Sequence, residues 1–136
     1  MEELRDEELL TAFEAGTLPE GLFHHREHVR LAWVYLRRLP LLAALGRFSE
    51  GLKRLAVAYA KAGLYHETIT WAYLLLIHER MARSGPGEAW EEFAARNPDL
   101  LCRNSSVLSS YYRDETLASE LARRIFVLPD RAAGEP

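Results

Sequence analysis

The sequence predicts an all-α fold, a single-domain helical bundle of about five to seven helices. Apolar residues recur three and four positions apart along almost the whole chain, the period of one helix face, and no stretch alternates as a series of half-buried strands would. Hydrophobic residues make up 49% of 136 positions. At that length a packed core forms without disulfides or a structural metal. Glycine and proline fall mainly between the periodic stretches, where they end helices.

Taken in order, the first helix runs from about Glu2 to Ala15 and stops at Gly16, with a turn at Leu18-Pro19-Glu20-Gly21. The second spans about His24 to Arg38 and stops before Pro40. The third covers about Leu41 to Ala62 and ends at Gly63, with Gly46 and Gly51 as points of bending or shortening. The fourth runs from Tyr65 or His66 to Arg83 and is closed by Ser84-Gly85-Pro86-Gly87. Pro86 opens a fifth helix, through Glu88 to Arg96. A short helix around Val107 to Tyr112 and a last one from Asp114 to Phe126 complete a domain over residues 1–129. Residues 130–136 read as a loose tail.

The formal charge of -3 and a pI near 6.0 argue against a nucleic-acid binder. Arg26, Arg30 and Arg37 nevertheless form one basic stripe, read first as a solvated helix face and second as an anion or partner contact. Cys102 is the sole cysteine, so no internal disulfide forms, which fits a reducing, cytoplasmic setting; it reads as a small buried residue. No signal-peptide pattern is present, and the longest apolar run, Ala72 to Ile77, is too short for a membrane span.

Four of the five histidines open two of these helices: His24, His25 and His28 the second, His66 beside Glu67 the fourth. On a helical wheel Val29, Ala32, Leu36 and Leu39 lie within roughly 40° of His25, and His28 about 60° away, so both point inward. His24 sits nearer the edge. An up-down-up arrangement of helices two, three and four brings the starts of two and four to one end. His25, His28, His66 and Glu67 then form a candidate metal site for a divalent transition metal, zinc, iron, manganese or nickel. His24, Thr70, Arg80 and Tyr73 are candidates for its pocket or second layer of support. His78, about 18 Å along the axis, stays outside and reads as a core or interface histidine.

The pattern Phe23-x-His25-x-x-His28 with Tyr65-His66-Glu67-Thr68-Ile69-Thr70 resembles a small bacterial all-helical family of hypothetical proteins. The likeness extends through Tyr111-Tyr112 and Phe126-Val127-Leu128-Pro129-Asp130. It implies that His25, His28, His66 and Glu67 belong together; it implies no activity. The layout is also similar in style to DinB-like and hemerythrin-like bundles, from which it departs in ligand number and spacing.

Three readings follow in order. The first is a small metal-dependent enzyme acting on a small-molecule substrate through a mononuclear His/Glu site. The second is a metal-free interaction module, or a homo-oligomer, in which the same residues form a buried polar network. The third is metal-free acid–base catalysis by His66 and Glu67.

Overall fold

A computed structural model describes residues 5–102 and 106–131, and over these the chain is all-α, as expected, with no strand. No helix among the described residues is long and apolar enough to cross a membrane. The expected domain falls into two compact units, Met1–Tyr65 and His66–Pro136.

The first unit is built from α1 (Asp6–Ala15), α2 (His25–Arg38) and α3 (Leu41–Ala58), packed pairwise around Phe13. Phe13 is fully buried, with the rings of Phe23, Tyr35 and Phe48 at 6.0–6.2 Å. On α2, Leu31, Ala32, Trp33, Val34 and Tyr35 are all buried in succession, so the helix is covered all round at its middle rather than on one face. Gly51 lets α1 approach α3, since a Cβ there would stand 2.2 Å from Cε2 of Phe13. The glycine expected to bend α3 is therefore a packing notch.

Helix α3 stops four residues earlier than the Gly63 rule suggests. Ala60 takes φ 57°, and the Lys61 N–H reaches the Ala56 carbonyl at 2.7 Å while the Ala60 N–H reaches that of Val57 at 3.0 Å. This is the double-bonded termination usually made with glycine, here made with alanine. Residues Ala62–Leu64 then form a single 3-10 turn.

The second unit centres on α4 (Glu67–Ser84), followed by α5 (Trp90–Arg96), α6 (Pro98–Leu101), a 3-10 turn at Val107–Ser110, α7 (Asp114–Leu117) and α8 (Glu120–Arg124). The fifth helix starts at Trp90, not at Pro86. The expected continuous last helix is broken. Ser119 adopts extended geometry and its Oγ accepts the Ala122 N–H at 3.1 Å, capping α8 and separating it from α7. The first residues of the expected tail are anchored: the Asp130 and Arg131 N–H groups both donate to the Tyr111 carbonyl, at 3.1 and 3.0 Å. The rest of that tail, and Glu2 at the expected start of the first helix, lie outside the described residues.

Candidate functional site

His25 and His28 belong to the first unit, His66 and Glu67 to the second. Each half is built locally for a different reason.

At the start of α2, His24 is the residue before the helix, and the Glu27 carboxylate reaches back to its N–H at 2.8 Å and to its Nδ1 at 3.1 Å. This satisfies one of the N–H groups that a helix start leaves without an internal partner. Its ring is largely exposed, so His24 serves the cap. His25 and His28, one turn apart, are half-buried as their wheel positions predict, with ring centroids 6.5 Å apart. His28 also stacks on Phe23 at 4.1 Å, which fixes its ring plane. The Phe23-x-His25-x-x-His28 pattern is thus one local stack, phenyl on imidazole with a second imidazole beside it.

At the start of α4, His66 is only 9% exposed and both its ring nitrogens are engaged. Nδ1 accepts the Ile69 N–H at 3.1 Å, capping the helix, and Nε2 lies 2.7 Å from the Leu117 carbonyl. A carbonyl only accepts, so Nε2 carries the proton and Nδ1 the lone pair; the two partners fix a neutral tautomer. The Leu117 carbonyl is open to His66 because the chain breaks between α7 and α8, so it is not consumed by a continuing helix. Binding a metal through His66 would displace one of these bonds.

The rest of the Tyr65–Thr70 stretch does related work. Thr68, fully buried, donates from Oγ1 to the Ile125 carbonyl at 2.7 Å and accepts the Val127 N–H at 3.0 Å. Thr68 is therefore where the C-terminal segment docks on α4. Thr70 donates to the His66 carbonyl within its own helix at 2.8 Å. Trp71 stacks on Phe126 at 5.1 Å, and the buried Tyr112 donates to the Val127 carbonyl at 2.7 Å. Burial, with the nearby Asp130 charge, pushes the Tyr112 hydroxyl above the ordinary tyrosine range. Asp130 accepts the Thr116 hydroxyl and the Arg113 N–H, bonds that hold its carboxyl below the usual range. Thr68, Tyr111-Tyr112 and the segment from Ile125 to Asp130 thus meet as one latch of side-chain-to-backbone and backbone bonds.

The remaining candidates are placed as follows. Glu67 is half-buried in the first turn of α4. Tyr73 shares a hydrogen bond with Ser106 Oγ at 3.2 Å, and burial raises its hydroxyl. Arg80 binds Asp99 with both arms, at 2.9 and 2.8 Å, and Asn97 Oδ1 at 2.9 Å; it joins α4 to the α5–α6 junction. His78 is exposed, not a core residue, and Cys102 is exposed rather than buried because it follows directly on the end of α6. Among the described residues no group of three or more His, Cys, Asp or Glu side chains is disposed to hold a metal ion.

Sequence reasoning missed Thr68, Ser119 and Leu117 as partners. Ser119 ahead of Glu120 was legible as a helix start; a carbonyl partner 51 residues from His66 was not. Compared with protein-family models, curated proteins and solved structures, the chain has no match.

Proposed function

We propose that the chain is a metal-free helical interaction module, binding another protein or a second copy of itself, in which the His66 cluster is a buried polar network. The observation that carries this reading is the double engagement of His66 by the Ile69 N–H and the Leu117 carbonyl. A histidine used this way holds architecture, since both lone pair and proton are committed to backbone groups. Exposed apolar side chains supply contact surface: Leu42, Val57 and Leu64 in the first unit, Leu121, Ile125 and Leu128 in the second. The lone Cys102 fits a reducing, cytoplasmic setting.

A second reading keeps the metal-dependent enzyme, acting on a small molecule. It is favoured by the His25–His28 pair, two imidazoles from one turn with rings 6.5 Å apart. With His66 and Glu67 they would supply three nitrogens and a carboxylate to zinc, iron, manganese or nickel, and the ion would supply an activated water.

The test is elemental analysis of tag-free protein, before and after incubation with each of those four metals, on the parent and on His25→Ala and His66→Asn. The module reading expects no stoichiometric metal in the parent and thermal unfolding unchanged by a chelator. Near-stoichiometric metal that both variants lose overturns it in favour of the four-residue site.

A further inference from the structure

The first unit carries a cleft of about 200 Å³ lined by Asp6, Trp33, Val34, Arg37 and Arg38. Its charges are arranged unevenly. Arg30 holds Asp6 at 2.7 Å, and Arg38 pairs with Glu7. Arg37 lies over the Trp33 ring instead, 4.8 Å from its centroid. Among the described residues, three arginines against two carboxylates leave one positive charge at this place, and Arg37 is the cation whose neighbour is an aromatic face.

That difference has a chemical consequence. Trp33 is 2% exposed, so its indole is fixed by the core. A guanidinium resting on a fixed ring loses little further freedom when its N–H fork closes on an oxyanion, whose geometry it matches. Asp6 would repel an anion, but Arg30 meets it with two contacts, at 2.9 and 2.7 Å, and only 12% of the Arg30 side chain is exposed. Asp6 is also the first residue of the ten-residue α1, so the positive end of that helix dipole lies at the cleft. Of the basic stripe read in the sequence, Arg30 is thus a structural partner and Arg37 the available donor.

We propose that this cleft binds a small oxyanion, a carboxylate or a phosphate group, with Arg37 as its principal contact and Arg38 as a second donor. At this volume it accepts a small ion or the anionic end of a larger molecule. The site is independent of the His66 network and of whether a metal binds elsewhere.

The test uses the full chain, ¹⁵N-labelled, titrated with inorganic phosphate and separately with acetate at low, constant ionic strength. The readout is the Trp33 indole N–H and the amides of residues 33–38. The expected result is a saturable shift in the millimolar range or tighter, weakened about tenfold by Arg37→Gln and less by Arg37→Lys. Arg83→Gln, at an exposed ion pair of α4, should leave it unchanged. Saturation by phosphate alone identifies a phosphate site; saturation by both identifies a general carboxylate and phosphate site. A linear response to both ions, or an Arg37→Gln curve that overlays the parent in a variant whose other resonances are unmoved, overturns the proposal.

Discussion

Replacing His66 separates its two bonds. His66→Ala removes the acceptor for the Ile69 N–H, a lost helix cap worth about 1 kcal/mol. It also strips the Leu117 carbonyl of its donor, leaving an acceptor beside a side chain only 9% exposed. The half-buried Leu117 carbonyl adds the net worth of one hydrogen bond, about 1 kcal/mol, so the sum is about 2 kcal/mol. His66→Asn offers a side-chain oxygen at the cap position but is too short to reach Leu117 as well. It should therefore recover the cap and lose about 1 kcal/mol less than alanine does. Urea unfolding followed by circular dichroism, with and without a chelator, gives all four numbers. An alanine variant within about 0.5 kcal/mol of the parent would show that the two bonds contribute little. Equal losses for asparagine and alanine would refute the capping role, and a loss present only without chelator would assign the stability to a metal.

Three further perturbations probe the frame around the two clusters. Gly51→Ala gains about 1 kcal/mol of helix propensity but drives a methyl into a Phe13 ring confined by three others; the net loss should be about 2 kcal/mol in urea unfolding, and a stabilised variant would show that the ring moves aside. Ala60→Gly relieves a left-handed alanine at the end of α3 and should raise stability by up to about 1 kcal/mol; a decrease would mean Ala60 does not hold that conformation in solution. Asp99 is held below the usual carboxylate range by Arg80, so its contribution is complete above the unfolded-state value of about 4 and is lost as pH falls through the lower folded-state value. The stability gap between the parent and Asp99→Asn should accordingly narrow as pH falls below about 4, and a gap that widens there would reverse the sign of the linkage.

What the sequence made legible was the local half of each feature. Helix periodicity, the Gly16 stop, the Ser84–Gly87 break and the inward set of His25 and His28 all depend on neighbours within one or two turns. Where glycine was read as the stop, Ala60 took the role three residues earlier, because backbone bonds to Ala56 and Val57 outweigh the strain of a left-handed alanine. Gly51 reads as a weak point in a helix until the ring packed against it is known. The break between α7 and α8 is a contest between the helix propensity of Leu117–Ala118 and the Ser119 cap, which single-residue preferences do not decide. The Leu117 partner of His66 and the Ile125 and Val127 partners of Thr68 lie 51–59 residues away, beyond any pattern of spacing.

The same histidine therefore supports opposite chemistry depending on what is counted. A His followed by Glu at a helix start is a natural pair of metal donors when only residue types are compared. Once the backbone is included, the helix start itself is a competitor: it presents N–H groups that need an acceptor, and Nδ1 of His66 meets that need at 3.1 Å. An ion at His66 must therefore offer more than whichever of the two bonds it displaces, the cap to the Ile69 N–H or the bond to the Leu117 carbonyl.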